Sequence, residues 1–251
     1  MRPVIFAGPT LSGDPVRRDR RFVWRAPASH GDVLRAARRH PAAIGLVDGC
    51  FETTPSVWHK EILWALARGV PVFGAASMGA LRAAELHDFG MIGVGRVFAD
   101  FRDGRLRDDD EVAVLHAPAE LDWAPMTVAM VDVRATLEAA AAAGVVPTRT
   151  RQAIERLAKA MFFKDRTWRR LLSAARRGGV SKTDATALRS WVARHAVPIK
   201  RLDARAMVAE MAARLAADAD IAPAAPLVAF RPTTLWRRAF GPERAVARDS
   251  A

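Results

Sequence analysis

The stretch GAASMGALRAAEL, residues 74–86, places one hydroxyl, Ser77, between small residues and the start of a helical pattern. An apolar run, VPVFGA at 70–75, precedes it. Strand, tight turn, serine and helix is the order of a nucleophile elbow, here as Ala-x-Ser-x-Gly instead of Gly-x-Ser-x-Gly. Ala75, Ala76 and Gly79 are small enough for a sharp turn and for close packing of helix on strand. The amide of Met78 and the helix dipole would stabilise negative charge beside the serine. A hydroxyl at this position has a second use, because serine is also a preferred N-terminal cap. The local residues alone leave both uses open.

A serine nucleophile needs a base, and no histidine here has the spacing or context of a hydrolase triad. A lysine can serve, since Ser–Lys pairs are a variant of the triad logic. Lys60 lies in SVWHKEILWAL, 56–66, a helical pattern that is apolar nearly all round. Burial there would lower its pKa from about 10.4 and favour the neutral base. The alternative is a lysine that snorkels to water or pairs with Glu61 or Asp48. Asp48 closes an apolar run and can orient Lys60 or His59, or simply make a turn before Gly49. Cys50 is a further thiol without a histidine tied to it by spacing, and a small buried cysteine is the commoner role. The loop Gly8–Asp14 has the two glycines of a phosphate loop but lacks its Lys-Ser/Thr, so Gly8, Thr10 and Ser12 either donate to an oxyanion or simply form a tight strand-to-loop turn. Arg82, on the serine helix, can meet an anionic substrate. His59 and Glu61 diverge on a helix, and no His-x-x-x-His pair or cysteine cluster occurs, so no metal site is expected. The run RDDDE at 107–111 can chelate a hard cation or form a solvated turn.

These residues need elements to hold them. Residues 3–7, 43–49 and 70–75 read as buried strands, alternating with helices over 32–39, 55–68 and the serine stretch. That alternation predicts an α/β fold: a small parallel sheet flanked by helices in the N-terminal part, with ligands beyond the carboxyl ends of its strands. A pair of strands around a polar turn at 102–110 is expected between 90 and 116. Residues 126–143, 148–177 and 203–217 read as helices, with a capping box at Ser181 and Asp184. The expected division is a hydrolase-like α/β core over 1–122, a mostly helical region over 123–240, and a disordered tail over 241–251.

Composition narrows the partners. The 251 residues carry a formal charge of +12, mostly from arginine, which suits an acidic protein or anionic substrate. No nucleic-acid-binding motif accompanies that charge, so no specific nucleic acid is expected. One cysteine precludes an intrachain disulfide and makes the cytoplasm the natural compartment. No apolar stretch has the length of a membrane span, and the N-terminal apolar run is too short for a signal peptide.

The segments VIFAGPTLSG, HGD, LVDGCFE, PSVWHKEILWAL, VPVFGAASMGALRAAEL, FGMIGVGRVFADFRDG, DDDEVAVLHA and VDVRATLEAA, spread over residues 3–143, resemble the TfuA-like family. Arg25-Ala26-Pro27 holds one proline where two consecutive ones are expected, and Cys50 stands where an aromatic is usual, which argues against a thiol mechanism. The resemblance implies a partner of a YcaO enzyme in replacing a peptide amide oxygen by sulfur. It implies hydrolysis of a thiocarboxylated ThiS-like carrier to release sulfide, without a cofactor, through a Ser–Lys pair that maps onto Ser77 and Lys60. It also implies contact with the precursor peptide. The competing function is a non-catalytic activator bridging YcaO, carrier and peptide.

Overall fold

The computed structural model describes residues 1–50, 52, 54–217 and 230–241. Strands β1 (Val4–Phe6), β2 (Val23–Arg25), β3 (Ile44–Leu46), β4 (Val72–Ala75) and β5 (Ile92–Val94) form one parallel sheet in the order β2-β1-β3-β4-β5. The chain steps from β1 to β2 on one side and then crosses to β3 on the other. The loops after β1 and β3 therefore diverge, which opens a crevice at the carboxyl edge.

Period-2 alternation decides what covers each face. Phe6, Ile44, Leu46 and Val72 turn to one side, where they pack with α1 (Asp32–Ala37), α2 (His59–Ala67), α3 (Met78–Leu86) and α4 (Arg96–Arg102). Ile5, Ala7, Val47, Phe73 and Ala75 turn to the other and meet Ala204, Met207, Val208 and Met211 of α9 (Ile199–Ala216). Gly45 lies on this second face, where a Cβ would stand 2.9 Å from both methionine side chains. Four helices, α5 (Met130–Ala142), α6 (Thr148–Ala160), α7 (Trp168–Arg177) and α8 (Lys182–His195), enclose a separate apolar cluster around Leu137, Ile154, Leu171 and Leu188. Helix α10 (Thr234–Phe240) buries Trp236 completely against the α1–α2 side.

The parallel sheet and the helical C-terminal part agree with the sequence reading, and three expectations are corrected. The strand pair between 90 and 116 is β5 followed by a helix, α4. Val97, Phe98 and Phe101 sit at helical spacing and are buried, and Asp203 of α9 accepts the Val97 amide at 2.7 Å to fix the helix start. The single helix over 148–177 is broken into α6 and α7 by a turn in which Phe163 is buried. Residues 23–25, inside a run of arginines, form the edge strand β2 where a loop was expected. Ser181 does cap α8, accepting the Asp184 amide at 3.0 Å. The C-terminal region does not stand apart from the core, since α9 is the cover of one sheet face. The tail over 242–251 lies outside the described residues.

Candidate functional site

Ser77 sits where β4 gives way to α3. Ala76 takes φ +69°, a left-handed conformation that costs a side-chain-bearing residue, while Ser77 itself has φ −119° and ψ −126°. The turn thus differs from a hydrolase elbow in carrying its strain one residue before the serine. Two glycines let the turn close. A Cβ on Gly79 would lie 1.7 Å from the Leu46 carbonyl oxygen, and one on Gly74 would lie 2.2 Å from the Gly79 carbonyl oxygen. The Gly79 amide donates to the Val47 carbonyl at 3.2 Å, pinning α3 across to the end of β3.

Although Ser77 holds the N-cap position of α3, its side chain makes no capping hydrogen bond. The capping use of this hydroxyl is therefore not the one the fold adopts. With the Gly79 amide engaged, Met78 carries the first-turn amide beside the serine that has no acceptor inside the helix. Ser77 and Met78 line a cavity of about 760 Å³ at the carboxyl edge of the sheet, with Asp48, Cys50, Arg82 and His116.

Arg82 is positioned firmly. Its guanidinium donates to the Val57 carbonyl at 3.1 Å and pairs with Glu85 at 2.7 Å. Glu85 also meets His59 at 2.8 Å. Burial tends to raise the Glu85 carboxyl, but the His59 and Arg82 contacts outweigh it and hold the group below its ordinary value. His59 thus reaches the cavity wall through Glu85.

The structure does not bring Lys60 to Ser77. The Lys60 Nζ donates to the Arg231 carbonyl at 2.8 Å and stands 5.5 Å from the centre of the Phe230 ring, outside the residues that line the cavity. Neither carboxylate considered as its partner is near it in the bonding pattern. Glu61 is buried and accepts the Trp58 and Leu34 amides at 3.0 and 3.3 Å, tying α2 to α1. Burial is the largest influence on Glu61 and raises its pKa.

Asp48 neither orients Lys60 nor meets His59. Its carboxylate accepts the Gly8 amide at 2.8 Å, the Thr10 amide at 3.1 Å and the Thr10 hydroxyl at 2.6 Å. The loop donors expected to hold an oxyanion are thus spent on a protein carboxylate. Gly8 and Thr10 act through Asp48, which they lock at the cavity floor. Ser12 lies off the cavity, its carbonyl accepting from Arg201 of α9 at 3.1 Å.

Cys50 does lie on the wall, but burial and the Asp32 charge push its thiol above the ordinary value, which disfavours the thiolate. The acidic run resolves as an ion-pair hub. Lys159 pairs with Asp108, Asp110 and Glu111 together, while Arg166 takes Asp110 and Arg134 takes Glu111. The three carboxylates converge on an ammonium that supplies the positive charge a metal would bring.

His116 is the residue sequence reasoning missed. It enters the cavity from the segment after the ion-pair hub, and its Nδ1 lies 2.8 Å from the Ala117 carbonyl oxygen. No spacing relates residue 116 to residue 77. The sole signal was its place in the DDDEVAVLHA block.

The carboxyl-edge crevice of a 2-1-3-4-5 sheet, a serine freed from capping and a fixed arginine define an α/β protein with a candidate ligand site at its switch point. A family model described as TfuA-like protein matches residues 48–167, a span that includes Asp48, Ser77, Arg82 and His116. Over these residues the chain is similar to the TfuA-like family. No curated protein matches the chain. Among the described residues, no helix is long and apolar enough to cross a membrane.

Proposed function

We propose that this protein hydrolyses the thiocarboxylated C-terminus of a ThiS-like carrier, with Ser77 as nucleophile, and so releases sulfide for a YcaO enzyme that thioamidates a peptide. The observation that carries the reading is the Ser77 hydroxyl, uncapped and facing a cavity it shares with Arg82. The match to the TfuA-like family model supports the partnership with YcaO.

Physical chemistry assigns the other roles. A thiocarboxylate is anionic and repels a nucleophile until positive charge or amide donors share its charge. Arg82 supplies that charge and the Met78 amide faces the oxygen of the tetrahedral intermediate. Hydrosulfide is a better leaving group than hydroxide, so the intermediate collapses to an acyl-serine, which water then opens. Lys60, the base implied by the family resemblance, would join this chemistry by exchanging the Arg231 carbonyl for the cavity.

Ser77→Ala should abolish sulfide release from thiocarboxylated carrier while leaving the fold and YcaO binding intact. Lys60→Ala, assayed beside it, reports whether that exchange occurs: a loss comparable to Ser77→Ala places Lys60 in the chemistry. Full release by Ser77→Ala would sink the hydrolase reading and leave the protein as a bridge between YcaO, carrier and precursor peptide. The held position of Lys60 is the observation that favours this second reading.

A further inference from the structure

We infer that the groove between α1 and the edge strand β2 docks an acidic amphipathic helix of a partner protein. This surface is separate from the chemistry at Ser77, and it serves a hydrolase and a bridging protein alike.

The first observation is a gap in the cover of the sheet. Parallel sheets are normally buried beneath helices on both faces. Successive residues of a strand point to opposite faces, and the register of β1 with β2 sets Val23 beside Val4 and Arg25 beside Phe6. On the α9 side β2 is covered, since Trp24 packs against that core. On the other side α1 shares a core with Phe6 and Ile44, while Val23 of β2 joins neither core. A groove of about 420 Å³ remains over β2, with the two strands as its floor and α1 as a wall. Val4, Val23 and Ala36 are only half-buried there.

The second observation is charge. Arg2, Arg25, Arg35 and Arg39 line the same groove, and all four are exposed. Among the described residues, Asp32 is the one carboxylate in the lining, and it is already engaged by Arg35 at 2.6 Å and the Ser29 hydroxyl at 2.7 Å. Arg25 and Arg39 have no ion pair among the described residues, and Arg2 donates to the Arg20 carbonyl at 3.3 Å. Three guanidiniums are thus left for an outside anion. Arg25 ends β2 at the carboxyl edge, whereas Arg2 precedes β1 and Arg39 follows α1 at the amino edge. From residue 2 to residue 6 the floor runs about 13 Å at strand rise, the length of about nine helical residues.

These two facts select the occupant. The vacant position is that of a cover helix, so apolar residues at helical spacing meet the floor and carboxylates on the flanks meet the arginines. A guanidinium matches a carboxylate with two parallel donors. The half-buried floor residues are aliphatic and offer no aromatic face on which a nucleic-acid base could stack.

The test uses the full chain and a fluorescein-labelled peptide of about four helical turns, with Leu along one face and Glu on both flanks. Binding is followed by fluorescence anisotropy at physiological salt. Three further probes accompany it: the same residues in scrambled order, the peptide with Lys in place of Glu, and a single-stranded oligonucleotide of equal net charge. The expected result is saturable binding of the acidic amphipathic peptide, weakened about 10-fold by Arg25→Glu and by Arg39→Glu. Arg189→Glu, an exposed position on α8, should leave it unchanged. The Lys peptide should bind the Arg25→Glu/Arg39→Glu double variant more tightly than the wild type. Absence of binding by the acidic peptide would overturn the proposal. Equal binding of the scrambled peptide, or an equal loss with Arg189→Glu, would also overturn it by reducing the contact to net charge. Tighter binding of the oligonucleotide would replace the protein partner with a nucleic acid. Circular dichroism checks each fold, and should one charge reversal not fold, the other and Arg2→Glu decide.

Discussion

At the scale of single residues, the charged groups near the site divide into those that face solvent-filled space and those locked into the frame. Asp132 belongs to the frame. Its half-buried carboxyl accepts the Lys200 amide at 3.1 Å, and desolvation, opposed by the Lys200 charge, raises it from 3.8 to about 6. Between those two values the folded protein binds more protons than the unfolded chain, so stability falls as pH rises through that window. Asp132→Asn removes the titration and keeps an acceptor. Relative to this variant, the wild type should lose up to about 3 kcal/mol between pH 4 and 6, measured by urea denaturation. A flat difference across the window would show that the carboxyl titrates alike in both states. Ser77 could be read as a candidate from its neighbours because strand, small turn and helix are local properties. Asp48 could be placed at the edge but not assigned, since its partners Gly8 and Thr10 lie some forty residues away and only pairing of β1 with β3 brings them together. Lys60 misled for a related reason. Its helix looked apolar on every side because residues of α10 and the segment before it, distant in sequence, cover that flank.

Elements were legible where their pattern was self-contained. The strands β1, β3 and β4 are buried on both faces, so they read as continuous apolar runs. The edge strand β2 is not, and its Val-Trp-Arg pattern disappears among arginines. The α4 segment was read as strand because Phe98 and Phe101 favour strands, and the spacing of three between them fits helical but not strand periodicity. The approach of α3 to β3 offers a sharp test of the elbow. Because a Cβ on Gly79 would meet the Leu46 backbone, Gly79→Ala must displace α3 or β3 instead of bending a side chain. The substitution should cost about 3 kcal/mol or more, read as a lower midpoint in chemical denaturation. A change under about 0.5 kcal/mol would mean that helix and strand are looser than this packing requires.

At the scale of the whole molecule, the described residues form one sheet with two covers, and the second cover comes from far along the chain. The expected boundary at residue 122 therefore separates the sheet from α9. A fragment of residues 1–122 leaves Ile5, Val47 and Phe73 without their partners Met207 and Met211. It should show no cooperative thermal transition by circular dichroism, whereas the full chain should melt cooperatively. A fragment that melts as sharply as the full chain would make α9 dispensable to the sheet. The positive charge is likewise a property of the whole, and any binding to nucleic acid should be weak, indifferent to sequence and steeply dependent on salt.

The bond between Asp132 and the Lys200 amide marks the point where the chain departs for α5–α8 and the point where it comes back. A second tie, from the Val197 amide to the Thr136 hydroxyl at 2.9 Å, lies one turn further along α5. The four helices are thus inserted into the α/β body with both ends held together here, and the ion pairs of Arg134, Lys159 and Arg166 with Asp110 and Glu111 seat them a second time, like a cartridge in a socket. An insert whose two ends meet can change in length or surface without re-registering the sheet or moving Ser77.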